Sequence, residues 1–480
     1  MEKNLKKSKE KSFSSINLKS FISVVVVLLA IIIISGILTL FIPQGSFLRD
    51  ANGQIVAGSF TKGTVKGIAF WRVVTAPFRV FFVDGSITII MISLFLLIMS
   101  GVFNLLDKTN GIKVIMNRMV SKFGKKQKLV ICICVLFFML FGSLFGLFEE
   151  LITLLPFMII FMLSLGFDTM TGLGVCLLSA CFGFSAAITN PFSIGIASNL
   201  AGISTLKGVW LRIIFFIIIY AIVCLFLLNY TKKISKNKNL SPSFLVDEEK
   251  RKSLSVEIVE ENKQENKTFK VYLTFFIVEF TILLLTALIR PISGFAIPIL
   301  AATFLIGGII SGLIVEKEKK KVFKHILQGM VSMLPAVLLI ALASSVNLIM
   351  QESGILDTIM NYIIGFLQGN NIFLNLIYIY ILILVLQVFI GSASAKIFLV
   401  MPILLPICSV IGISPSLLIL VYCIADGFSD VLLPTNPVLL ISLSMANVSY
   451  GKWVKWTWKI QLIVLLVSLA ILFTGIQIGF

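Results

Sequence analysis

The side chains that could hold an ion or a polar solute occur in two matching sets. Thr189–Asn190–Pro191 returns as Thr435–Asn436–Pro437, with Ser185 and Ser193 around the first triplet and Asp426 and Asp430 ahead of the second. Glu149 and Glu150 follow Gly146, and the matching place in the second half is Gly-Ser-Ala-Ser-Ala-Lys at 391–396, which contributes Ser392, Ser394 and Lys396. Each proline sits inside an apolar helical run, where it deletes the hydrogen bond to the carbonyl four residues back, at Ala187 or Leu433. Carbonyls freed inside a membrane are tolerated where protein or a polar cavity takes them up. The neighbouring hydroxyl and amide oxygens could then hold a substrate, or a sodium ion with Asn190 and Asn436 as ligands. Asp426 and Asp430 lie one helical turn apart, on one face. An ionisable residue within a span costs about 2.5–3.5 kcal/mol on insertion scales, which makes these acids and Lys396 candidates for function by default. Either set could instead be structural, as a proline kink steadied by Asn and Thr, or as a buried Lys396–carboxylate pair that only holds the fold.

The elements that must position these residues are membrane helices. Of 480 residues, 58% are hydrophobic and 13% charged, against about 25% charged in a soluble domain. A hydrocarbon core needs about 20 helical residues per crossing, leaving room for roughly ten to twelve crossings. The formal charge is +18, but the basic residues flank apolar runs rather than interleaving with stacking aromatics, which argues against a nucleic-acid partner. Trp453, Trp456 and Trp458, alternating with Lys452, Lys455 and Lys459, read as an interface belt. The single histidine, His325, sits at the edge of a lysine run and leaves no material for a zinc cluster or a Ser–His–Asp relay. No phosphate-binding G-x-x-x-x-G-K-[ST] loop occurs, so ATP hydrolysis within this chain is not expected. The seven cysteines lie in apolar segments and read as packing residues. An enzyme is not expected; what remains is gradient-driven or passive movement of a solute.

Four Lys-rich stretches, the N-terminus, 107–128, 231–268 and 316–325, place one side of the molecule in the cytoplasm by the positive-inside rule. The expected organisation is a cytoplasmic N-terminus (1–20), a membrane repeat (21–230), a solvated, flexible cytoplasmic linker (231–268) and a second membrane repeat (269–480), in the plasma membrane. The offset of 246 residues between the Thr-Asn-Pro triplets also relates Pro156 to Pro402 and Gly166 to Gly412, which marks a duplication. Segment 130–165 is entered from the Lys-rich side and its counterpart 372–411 from the opposite side, so the repeats are inverted. Secondary transporters of this construction place substrate and ion sites near the midplane, at interrupted helices. A duplicated channel is the competing class. The chain is thus expected to be an all-α polytopic membrane protein with an inverted repeat of transmembrane helices.

These residues resemble the YfcC-like branch of the C4-dicarboxylate anaerobic carrier family, within the wider ion-transporter superfamily. The likeness runs from Gly146, Glu149 and Glu150 to Asn-Pro-Phe-Ser-Ile-Gly-Ile-Ala at 190–197. In the second half it takes in 391–396, Asp-Gly-Phe-Ser-Asp at 426–430, Pro434 and Thr435, and Tyr-Gly-Lys-Trp at 450–453; Ile-Pro-Gln-Gly-Ser-Phe at 42–47 is similar too. It covers nearly the whole chain and is weakest in 231–268. Two departures bear on specificity: Ala393 and Ala395 interrupt the usual glycine–serine alternation of the hairpin, and Asn436–Pro437 replaces small residues. The resemblance implies two helical hairpins and two broken helices, a homodimer, and alternating access with hairpin tips and helix breaks sharing the site. It also implies substrates that range from dicarboxylates to amino acids, basic amino acid antiport included. Four candidate acids facing one base, Lys396, suit an ammonium or guanidinium group. The expected function is therefore transport of amino acids of the arginine, ornithine and lysine type, as an antiporter, with no cofactor beyond a coupling sodium or proton. The alternative is a C4-dicarboxylate carrier coupled to sodium or protons.

Overall fold

Uninterrupted apolar runs make full spans in this chain, and interrupted ones make half-spans. In a computed structural model that describes residues 18–48, 56, 58–83, 86–115, 118, 126–149, 151, 154–254, 263–288, 295–367 and 371–480, eight helices are long and apolar enough to cross a membrane. Val209–Lys236 and Tyr450–Gln477, at 28 residues each, are the longest uninterrupted ones. Helices such as Leu155–Ser164, Thr169–Ser185, Pro415–Ser429 and Pro437–Ala446 hold 10–17 residues. At about 1.5 Å per residue these fall short of a hydrocarbon core about 30 Å thick. The strands among the described residues are the two-residue pair Gly45–Ser46 and Thr61–Lys62.

The short helices, together with three of the eight long ones, assemble into the two hairpins and two broken helices. The first hairpin rises through Gln127–Leu140 and the π-helical Phe141–Phe145 and returns as Leu155–Ser164, with Pro156 in its first turn. The second is Ile372–Phe389 followed by Ala393–Val410. The first broken helix runs Thr169–Ser185, stops, and resumes as Pro191–Gly195 and Ile196–Leu200. The second runs Pro415–Ser429 and resumes as Pro437–Ala446.

Their orientation is inverted. The first hairpin opens at the Lys-rich end, where Gln127 donates to the Leu165 carbonyl (2.8 Å) and Arg251 to that of Gly166 (3.2 Å). The second opens at the far end of Tyr450–Gln477, where Ser414 donates to the carbonyl of Phe480. Gly166 and Gly412 end the second arm of each hairpin at φ +91° and +79°, so the duplicated position keeps a left-handed turn that a side chain would strain. One continuous apolar core runs through both hairpins and both broken helices. Ser86–Lys108, which adds Phe95 and Val102 to that core, packs along Lys319–Ser332, with Ser100 donating to the Gly329 carbonyl (2.8 Å) and Asn104 to that of His325 (2.7 Å).

The stretch joining the repeats departs from expectation. Residues 247–252 belong to a helix, Phe244–Leu254, and Asp247 and Lys250 are 4% and 7% exposed. Ser243, Thr169 and the Ala446 carbonyl replace water as their partners.

The broken helices cross so closely that a Cβ on Gly427 would fall 2.3 Å from the Ser185 backbone nitrogen, whereas one on Gly412 would meet only Ile372, at 3.7 Å. Gly412→Ala is therefore expected to cost about 1–2 kcal/mol, the left-handed penalty alone, and Gly427→Ala distinctly more. Thermal unfolding of the purified variants in one detergent checks the order; equal losses would contradict the close crossing.

Candidate functional site

A helix broken inside a membrane must give its backbone groups new partners. At the first break Ser143, on the first hairpin, does most of this. Its carbonyl accepts from the N–H groups of Ile188 (3.0 Å), Thr189 (3.3 Å) and Asn190 (3.1 Å). Its hydroxyl donates to the Ala186 carbonyl (2.6 Å) and lies 3.1 Å from the Ile188 N–H. Thr189 donates back to the Leu144 carbonyl at 3.1 Å. The helix then restarts at Pro191, with the Asn190 side-chain oxygen accepting from Phe192 N (2.9 Å) and Ser193 N (3.3 Å). In this arrangement that oxygen accepts from two backbone N–H groups. Among the described residues Asn190 Nδ2, fully buried, makes no hydrogen bond, and neither does the buried Ser193 hydroxyl.

The second break solves the problem differently. The Leu433 carbonyl that Pro437 cannot serve accepts from Asn436 N at 3.1 Å. Asn436 caps the second half through Val438 N (2.9 Å) and turns its Nδ2 to Asp430 (2.8 Å). Trp453 donates to the Val431 carbonyl (2.7 Å) and Tyr450 to that of Leu432 (2.6 Å). Trp453 is fully buried and so is not part of an interface belt: its indole N–H is needed by the broken chain. Trp458, half exposed, does fit the belt.

Charge is concentrated where the second hairpin meets the second broken helix. Lys396 forms an ion pair with Asp426, the two side chains 0% and 1% exposed. Asp430 accepts on one oxygen from Gln387 (2.6 Å) and Asn436 (2.8 Å). The hairpin tip is fixed by Ser392, which caps Ala395 N (3.3 Å), by Tyr422, which donates to the Ala393 carbonyl (2.7 Å), and by Ser394, which donates to the Phe192 carbonyl of the first broken helix (3.2 Å). Ser185 donates to the Ile424 carbonyl (2.9 Å) and so ties the two broken helices together. The buried Thr435 hydroxyl has no hydrogen-bond partner among the described residues.

The expected residues thus converge, with changes of role. Ser185, Ser394 and Lys396 are engaged in holding elements together, and Lys396 cancels Asp426, so the balance of four acids to one base does not describe the buried cluster, which holds one surplus acid, Asp430. Glu149 is half-buried at the first hairpin tip, and Glu150 lies outside the described residues. Glu279, solitary in the sequence, accepts from Thr303 at 2.9 Å. Ser143, Gln387 and Tyr422 escaped the sequence reading. Of these only Gln387, a carboxamide within an unbroken apolar run, carried a visible signal.

Inverted hairpins and broken helices that enclose orphaned polar groups and a buried charge cluster make up a membrane transporter. The model of the C4-dicarboxylate anaerobic carrier family matches residues 21–477, and the chain belongs to that family. It is 27% identical over 384 residues to an uncharacterized protein of Haemophilus influenzae (78% of this chain, 73% of the relative). It is 25% identical over 386 residues to the Escherichia coli K12 protein named "Putative basic amino acid antiporter YfcC" (77% and 74%). Among solved structures, the Alcanivorax borkumensis YdaH transporter aligns over 96% of this chain and 98% of its own, at 16% identity and a TM-score of 0.42. Neisseria gonorrhoeae MtrF aligns over 94% of each chain, at 15% and 0.40.

Removing one partner of a buried ion pair strands the other and costs about 3–5 kcal/mol, whereas replacing both with apolar groups is often neutral. Lys396→Met alone is therefore expected to melt well below wild type in detergent, and the double substitution with Asp426→Leu to recover most of the loss. A single variant as stable as wild type would contradict the pair.

Proposed function

We propose that the protein is a secondary transporter of the cell membrane that exchanges basic amino acids by alternating access. Asp430 carries this proposal. Its carboxyl is buried, is served by two amide donors, and has no ion-pair partner among the described residues, because Lys396 is committed to Asp426. A carboxylate in such surroundings calls for a proton or a cation. The side-chain ammonium or guanidinium of lysine, ornithine or arginine supplies one, and a proton can fill the place when no substrate is bound. On the first broken helix the unpartnered groups, Asn190 Nδ2 and Ser193 Oγ, can donate to the carboxylate that every amino acid also carries. The printed name of the Escherichia coli relative points to the same substrate class. In this proposal Asp430, Asn190, Ser193 and Thr435 touch substrate, while Gln387 and Asn436 hold Asp430 in place. The Lys-rich side is cytoplasmic by the positive-inside rule, and the working unit is a homodimer.

The family description favours a second reading, a carrier of C4-dicarboxylates, with Lys396 as the cation. A dianion would then have to take Lys396 from Asp426 and leave that acid unmatched.

Counterflow in proteoliposomes separates the two. Vesicles loaded with arginine, ornithine or lysine should accelerate entry of labelled arginine. Asp430→Asn, which removes a charged hydrogen bond worth about 1.5–3 kcal/mol, should weaken arginine about 10- to 150-fold. Exchange of succinate or fumarate alone would establish the dicarboxylate reading, and non-saturating flux without counterflow would establish a channel.

A further inference from the structure

The helix that joins the two repeats, Phe244–Leu254, turns one face onto the Lys-rich ends of both broken helices. Asp247 and Lys250 are three residues apart and so share that face. Asp247 accepts from the N–H of Thr169 (3.2 Å) and from its hydroxyl (2.5 Å), and its other oxygen accepts from Ser243 (2.7 Å). Thr169 is the first residue of the first broken helix, whose N-cap, Asp168, accepts from Thr171 N (2.8 Å) and from Ser241 (2.6 Å). Lys250 donates to the Thr169 hydroxyl (3.3 Å) and to the carbonyl of Ala446 (3.1 Å), the last residue of the second broken helix. A carboxylate thus sits at a helix N-terminus and an ammonium at a helix C-terminus, each matched to the end of the dipole it faces. The flanks are tied down as well: Arg251 donates to the Gly166 carbonyl (3.2 Å), and Lys452 of the last span donates to that of Pro242 (2.7 Å).

We infer that Asp247 and Lys250 are positioning residues: together they hold the Lys-rich halves of the two broken helices in register, so that the helix between the repeats travels with the substrate-binding elements as one body. The alternative, a solvated tether, would leave two charged side chains no reason to be buried. Burial raises the Asp247 carboxyl and pulls the Lys250 ammonium from 10.5 down to about 8, so Lys250 still carries its proton at pH 7. The docked form holds that proton less tightly than a free helix would. Other titratable or charged groups facing the pair are Asp168, Tyr230, which donates to Asp168, and the flanking Arg251 and Lys452.

Hydrogen exchange of the full-length protein in lipid nanodiscs tests the inference without reference to any substrate. Lys250→Gln should speed amide exchange at both 169–173 and 437–446 by about tenfold or more, with Val209–Lys236 unchanged, because local opening rather than global unfolding is affected. Asp247→Asn should loosen 169–173 alone, and Lys250→Arg, which restores the charge and the donors, should return both segments to wild-type protection. Unchanged exchange in Lys250→Gln, uniformly faster exchange throughout, or an arginine variant no better than glutamine would each overturn it. Should the glutamine variant fail to fold, the segment-restricted effect of Asp247→Asn decides: loosening at 169–173 alone upholds the inference, and loosening at both segments or at neither overturns it.

Discussion

Everything in this molecule depends on the rule that a peptide group within a membrane needs a hydrogen-bond partner. Two helices are broken at mid-depth, and each break is possible because another element lends it donors or acceptors. Ser143 serves the first; Trp453, Tyr450 and the cap at Asn436 serve the second. Around the breaks, Asn190 Nδ2, Ser193 Oγ and Thr435 Oγ1 are left without a hydrogen bond among the described residues. In a buried site, unmet hydrogen-bonding capacity is what a polar solute can answer.

Charge follows a related economy. Lys396 and Asp426 neutralise each other and fasten hairpin to broken helix, and Gln387 and Asn436 orient Asp430 without neutralising it. One pair is thus committed to architecture, while one acid is kept available. The same division separates Ser185, which spans the helix crossing, from Ser193, whose hydroxyl has only the Cys423 thiol near it among the described residues.

How much of this was legible in the sequence depends on what kind of interaction was involved. Proline acts on its own backbone, so both breaks and the duplication could be read from spacing, and the inversion from the side on which the Lys-rich stretches fall. The pairing of Gly166 with Gly412 survived duplication because both turns need the same backbone conformation. Partners across space left no such trace. Nothing local distinguishes Ser143 from other serines in apolar runs, and Trp453 sits among tryptophans and lysines whose pattern suggested an interface. Residues 247–252 looked solvated because burial of Asp247 and Lys250 depends on helix ends that lie some 80 to 200 residues away in the chain. The acid-to-base count failed for the same reason, since pairing is a matter of distance and not of composition.

The unequal bracing of the two breaks gives the two hairpins different freedom. Lifting the first would strip three backbone N–H groups from the Ser143 carbonyl and the Thr189 hydroxyl from that of Leu144, each worth about 0.5–1.5 kcal/mol net and more when left dry. The second is joined to its broken helix through side chains instead, Gln387 to Asp430, Lys396 to Asp426 and Tyr422 to the Ala393 carbonyl. Although built from one duplicated unit, the molecule therefore braces one break through backbone groups and the other through side chains.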